Sequence, residues 1–130
     1  MKQEENYILT REFFFDTYAF VEILRGSKNY ESYFNSGIVT TKLNLFELFM
    51  IVCRENGEEK AEIIFDKYFP FARDFEADVI KDAAKFKISL NKRDVSMTDC
   101  IGYMFAKQLG IKFLTGDKAF EGLDGVEFVK

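Results

Sequence analysis

Short, continuously apolar runs alternate along this chain with longer stretches whose apolar residues recur every three or four positions. The first run, residues 12–16 (Glu-Phe-Phe-Phe-Asp), reads as a strand buried on both faces of a parallel sheet and ending in an acid. Residues 17–25 place Phe20, Val21, Ile23 and Leu24 at helical spacing, and Gly26 offers a stop. This is a strand-to-helix unit with Asp16 at its junction.

The alternation continues. Residues 28–35 suit a short helix with Tyr30, Tyr33 and Phe34 on one side, and residues 37–40 a second short strand, with Thr40 or Thr41 as a cap. The pattern Leu43, Leu45, Phe46, Phe49, Met50, Val52, Cys53 predicts a mostly buried helix over 42–56, ended by Asn56-Gly57. An amphipathic helix over 58–69 follows and stops at Pro70, so these two helices should form a hairpin. Residues 71–75 alternate like a short strand, 76–90 are helical again, and 91–95 form a loop. From Met97 to Phe120 the chain reads as a capped helix with Asp99 in its first turn, a short apolar strand, and Asp117 just past the strand's end; residues 126–129 are a last short strand.

Residues 1–10 look like an N-terminal arm, and 11–130 like a single domain. Strands alternating with helices imply an α/β fold, a parallel sheet with right-handed crossovers and helices on both faces. Sites in such sheets form at the carboxyl ends of the strands, which is where Asp16 and Asp117 lie.

Composition narrows the chemistry. With 22 acidic and 18 basic residues the net charge is -4, which argues against coating nucleic acid by bulk electrostatics; any such contact must be local. The absence of histidine removes imidazole acid/base catalysis and His-containing zinc sites. Cys53 and Cys100 sit in apolar helical patterns and read as buried thiols of a reducing compartment. No apolar run approaches the roughly 20 residues of a membrane span, and the start is acidic, so the chain reads as cytoplasmic with no membrane partner.

Each notable acid has a structural explanation. Ser96-Met97-Thr98-Asp99 matches a capping box, Asp16 can cap a helix, Asp117 can serve a turn, and Glu47 can pair with Arg54. The functional explanation is that they cluster. Carboxylates brought together repel, a divalent cation with oxygen ligands relieves them, and the ligand type points to Mg²⁺ or Mn²⁺ and to phosphate-ester hydrolysis. Glu47, on an apolar stripe, needs a cation, a donor or a cleft to face.

The order of a strand-ending Asp (Phe-Phe-Phe-Asp-Thr), a helix with Glu (Leu-Asn-Leu-Phe-Glu-Leu), a helix-starting Asp (Ser-Met-Thr-Asp-Cys-Ile-Gly-Tyr-Met-Phe-Ala) and Thr-Gly-Asp-Lys-Ala-Phe resembles the PIN domain, especially the small VapC-type toxin ribonucleases. The resemblance runs from Phe13 to Val129 and implies a three-layer α/β/α sandwich with a short central parallel sheet. It further implies a Mg²⁺- or Mn²⁺-dependent endoribonuclease of a type II toxin-antitoxin system. Asp16, Glu47, Asp99 and Asp117 would be catalytic metal ligands, directly or through water, and Thr115 would orient them. RNA would be the substrate, a small antitoxin the inhibitor, and a homodimer the usual assembly. Tyr18 departs from the family, which commonly has a small polar residue there; it can narrow the site or stack on a base.

Lys81, Lys85, Lys87, Lys92 and Arg93 concentrate positive charge before Asp99, and Lys118 adjoins Asp117, so Lys85, Lys87, Lys92, Arg93 and Lys118 are candidates for an RNA path. A solvated helix face explains the same charges. The alternative function is a catalytically silent PIN-like binding or scaffold module with a Phe-rich docking face.

Overall fold

Three consecutive phenylalanines form the middle of the sheet. Phe13, Phe14 and Phe15 of β1 (Glu12–Phe15) are fully buried because helices cover both faces of this strand. The computed structural model describes residues 7–8, 10–90 and 94–130. Four parallel strands lie in the order β2 (Gly37–Val39), β1, β3 (Lys112–Thr115), β4 (Val126–Phe128), with Phe14 beside both Val39 and Phe113.

The period-2 alternation of β1 assigns its side chains to two layers. Phe13 and Phe15 join Phe20, Tyr30, Leu45, Leu48, Ile64, Tyr68 and Leu114 beneath α1 (Thr17–Leu24), α2 (Lys42–Asn56) and α3 (Glu58–Tyr68). Phe14 joins Val79, Ala83, Tyr103, Phe105, Phe113 and Phe120 beneath α4 (Ala77–Leu90) and α5 (Met97–Leu109). The result is the three-layer α/β/α arrangement, with the helical hairpin of α2 and α3 closed by Phe49 and Phe65 edge to face at 5.9 Å.

Gly102 lets α5 lie close on the sheet. A Cβ there would stand 2.8 Å from Phe14 Cε1 and 3.2 Å from Phe113 Cε1, so the helix would have to lift. That close seat matters because α5 carries Asp99.

Two expectations change. Residues 71–75 make only an isolated parallel bridge, Thr40 to Ala72, because Pro70 sets a 3₁₀ turn over Phe69–Phe71 that consumes the start of the run. The expected short helix over Lys28–Asn35 forms and is of the 3₁₀ type. Phe46 is 67% exposed, whereas Asn44, Leu45, Leu48 and Val52 are buried. A helix turns about 100° per residue, so a stripe centred on Leu45, Leu48 and Val52 leaves Phe46 facing outward.

Of the arm, Tyr7, Ile8 and Thr10 lie within the described residues. Ile8 is buried in the core of Phe13, and Arg11 stacks its guanidinium 4.3 Å from the centre of the Tyr7 ring. Among the described residues no helix is long and apolar enough to cross a membrane.

Candidate functional site

The chain passes from β1 through α1 to β2 on one side of the sheet and later returns with β3 on the other side of β1. The strand order therefore reverses between β1 and β3, and a crevice opens beyond their carboxyl ends. Asp16 immediately follows β1, Thr115 ends β3, and Asp117 comes two residues later. Asp99 reaches the same place from the first turn of α5.

Asp16 is only 2% exposed, yet it is fully supplied with donors. Its Oδ1 accepts the Thr17 amide at 2.9 Å, capping α1, and its Oδ2 accepts the Thr115 hydroxyl at 2.8 Å. Thr115 Oγ1 in turn accepts the Asp117 amide at 3.2 Å. One buried hydroxyl thus ties the two strand-end acids to a common frame.

Asp99 completes the capping box expected from its sequence. Ser96 Oγ accepts the Asp99 amide at 3.1 Å, and Asp99 Oδ2 accepts the Ser96 amide at 3.1 Å. Asp117 caps the 3₁₀ turn Lys118–Phe120 by accepting the Ala119 amide on Oδ1 at 3.0 Å. Capping fixes each carboxylate through one of its two oxygens. The structural and the functional explanations are compatible in both residues.

Glu47 arrives by a polar relay. Thr41 Oγ1 donates to Asn44 Oδ1 at 2.7 Å, Asn44 Nδ2 donates to Thr17 Oγ1 at 3.1 Å, and Thr17 Oγ1 donates to Glu47 Oε1 at 2.9 Å. Among the described residues no buried side-chain nitrogen or oxygen lacks a hydrogen-bond partner. Glu47 is half-buried on α2 and is coupled electrostatically to Asp99 and Asp16, but it does not line the crevice itself.

The electrostatics follow from burial and crowding. Burial first, then the Asp99 charge, holds the Asp16 carboxyl well above the usual carboxylate range, against the pull of the Thr115 and Thr17 hydrogen bonds. Burial also raises Asp99, opposed by its hydrogen bonds from Ser96 and reinforced by Asp117. Glu47 is raised by burial and partly restored by Thr17. In this crowded set Asp16 is the most deeply buried acid and the one held furthest above its ordinary range.

The crevice has a volume of about 540 Å³, and its walls include Asp16, Thr17, Tyr18, Arg25, Asp99 and Asp117. Among the described residues no three His, Cys, Asp or Glu side chains close into a ready cation cage. The donor set still suits a hard dication. Every candidate ligand is oxygen, the crowded carboxylates need positive charge, and Mg²⁺ commonly takes one or two carboxylates and fills the rest of its sphere with water and phosphate.

Of the candidate RNA-path residues, Lys85, Lys87 and Lys118 are not part of the crevice walls. Lys85 is exposed on α4, Lys118 is exposed just past Asp117, and Lys87 Nζ donates to the Val95 carbonyl, an anchor for the chain leading into α5. Lys92 and Arg93 fall outside the described residues. The cation that does line the crevice, Arg25, pairs with Glu55 at 3.0 Å and was not singled out by sequence. Nor was Thr17. The available signal was Arg25 falling seven residues after Tyr18, two helical turns along the same face.

Comparison with known proteins agrees with this frame. No curated protein matches the sequence. Among solved structures the fold is similar to Mycobacterium tuberculosis VapC20, a sarcin-ricin loop cleaving toxin, with 18% identity and a TM-score of 0.73 over 91% of this chain and 99% of that one. It is similar to a DNA-bound VapBC from Salmonella typhimurium, with 16% identity and a TM-score of 0.70 over 92% and 97% of the two chains. A toxin-antitoxin complex from Klebsiella pneumoniae gives 14% identity and a TM-score of 0.68 over 87% and 93%. The family profile described as PIN domain matches residues 13–126, nearly the whole chain, and the protein belongs to that family.

Proposed function

We propose that the protein is a divalent-metal-dependent endoribonuclease and the toxin of a type II toxin-antitoxin pair. The observation that carries this reading is the buried Asp16 carboxyl, held by Thr115 and crowded by Asp99 in an open crevice at the switch point of the sheet. Burying a carboxyl beside another is costly, and a fold that served structure alone would gain by replacing one of them with a neutral residue. Membership of the PIN family and the likeness of fold to VapC proteins support the same reading.

In this proposal Asp16, Asp99 and Asp117 hold Mg²⁺ or Mn²⁺ directly or through water, and Glu47 contributes from behind Thr17. A bound dication would supply acidity to water and compensation for the charge that develops on a phosphodiester. Thr115 fixes the rotamer of Asp16, the Ser96 cap fixes Asp99, and Arg25 offers a guanidinium to an RNA phosphate. The Arg25–Glu55 pair is solvent-exposed and so costs about 1 kcal/mol or less to exchange for such a contact. Lys85 and Lys118 can extend the path along the surface.

The test is incubation of purified protein with total RNA in Mn²⁺ or in a chelator. Cleavage in Mn²⁺ that stops with chelation is expected. Absence of cleavage, together with no rise in melting temperature at millimolar Mn²⁺, overturns the proposal. A second reading, a silent binding module, draws on the exposed apolar side chains Phe46 and Ile63, at 67% and 62% exposure on the α2–α3 hairpin. That face also suits an antitoxin or a second copy of the chain, so it is the cleavage experiment that separates the readings.

A further inference from the structure

Tyr18 stands at the mouth of the crevice for a structural reason. Helix α1 sets Tyr18, Glu22 and Arg25 at positions i, i+4 and i+7, and all three line the same wall as Asp16. The Tyr18 ring occupies space that exists because residue 116 is glycine: a Cβ on Gly116 would lie 2.5 Å from Tyr18 Cε1 and 2.8 Å from its Cζ. On the far side the same Cβ would meet the Val129 carbonyl at 2.3 Å. Val129 is itself held, its amide donating to Thr115 O at 2.9 Å and its carbonyl accepting the Tyr30 hydroxyl at 2.5 Å. Tyr30 then packs its ring 6.4 Å from that of Tyr18. The ring is therefore held between the core and the loop that carries Asp117, partly exposed toward the crevice.

The charge of the crevice makes an aromatic surface valuable there. Its lining includes Asp16, Glu22, Glu55, Asp99 and Asp117 against one cation, Arg25. Five acids repel a phosphate backbone, so affinity must come partly from contacts that are indifferent to charge. Stacking of a base on an aromatic ring is such a contact, and unpaired RNA bases can be splayed out to make it.

We propose that Tyr18 is a nucleobase platform, on which one unpaired base of a single-stranded RNA stacks beside the acidic cluster. The proposal rests on the ribonuclease reading above. A residue needed only to fill space over Gly116 could be replaced by another apolar group of similar size, whereas a platform needs a π face.

The probe is a single-stranded oligoribonucleotide that the wild-type protein cuts in Mn²⁺, together with versions carrying an abasic ribose at each position in turn. One abasic position should raise KM for the wild-type protein by about tenfold, the order of a lost stacked base. Tyr18→Leu should raise KM on the intact oligomer by about the same factor with kcat little changed, and should show no further penalty at that abasic position. Tyr18→Phe should behave as wild type. Cleavage by the wild-type protein with no abasic position affecting KM overturns the platform alone and needs no variant. Wild-type KM in Tyr18→Leu, or an abasic penalty that persists in it, does the same. A wild-type protein that cuts no RNA overturns the ribonuclease reading, and the platform with it.

Discussion

The Thr115 hydroxyl donates a 2.8 Å hydrogen bond to Asp16 Oδ2, joining the ends of the two central strands across 99 residues of sequence. Thr115 is fully buried and Asp16 nearly so. The same oxygen accepts the Asp117 amide, so a single side chain sets the orientation of one acid and the backbone of another. In a parallel sheet this contact can form only if β1 and β3 are neighbours in the observed register, which pairs Phe15 with Leu114.

Thr115→Val keeps the shape and removes the hydroxyl. It leaves Asp16 Oδ2 and the Asp117 amide without their partner, at a cost of about 1–3 kcal/mol in urea unfolding. Activity should fall by roughly 10- to 100-fold, the usual effect of losing a group that orients a metal ligand. Thr115→Ser should recover most of both. Full activity in the Val protein would show that Asp16 needs no such support.

Asp99→Asn tests the acid rather than its support. An asparagine oxygen can still accept the Ser96 amide, so the capping box survives and the melting temperature should stay close to that of the wild type. Metal-dependent cleavage should drop by at least about 100-fold, because the change removes a charged ligand and not only an outer contact. Cleavage at the wild-type rate would sink the shared-site interpretation.

The sequence was legible where local chemistry and global packing agree. A run of three phenylalanines ending in aspartate can be read as a doubly covered strand, and Ser96 to Asp99 as a capping box, because each pattern is complete within a few residues. Thr17 was not legible as a relay, since its partners Asn44 and Glu47 are brought to it by the packing of α2 on α1. Arg25 belongs to the crevice for the same reason. Phe46 misled because apolar identity does not reveal which way a helical residue points, and residues 71–75 misled because alternation cannot by itself supply a full strand partner. The contact of the Lys87 ammonium with the Val95 carbonyl is likewise set by tertiary packing and leaves no local sequence pattern.

The relay makes Thr17 a sharper probe of Glu47 than Glu47 itself. Thr17→Val leaves Asn44 Nδ2 and Glu47 Oε1 without their shared hydroxyl, both at least half-buried. Stability should fall by about 1–3 kcal/mol. If Glu47 serves the acidic cluster, cleavage should fall as well and recover in Thr17→Ser. A Val protein that is less stable but fully active would assign Glu47 a structural role only.

Asp16 predicts how stability should depend on pH. Its carboxyl is raised well above the ordinary value by burial and by Asp99. Below about pH 4 folded and unfolded chains both hold the proton. Above that the unfolded chain releases it while the folded one retains it, so this group's contribution to stability declines as pH rises toward its folded value. Asp16→Asn, neutral at every pH, should therefore melt higher than the wild type at pH 7 in chelator, and the difference should shrink as pH falls toward 4. In millimolar Mn²⁺ the order should reverse, because the wild type gains by binding the ion and the Asn protein does not. Thermal melts over pH 4–8, with chelator and with Mn²⁺, check both halves; a wild-type protein that is most stable at pH 8 in chelator relative to Asp16→Asn would contradict the raised carboxyl.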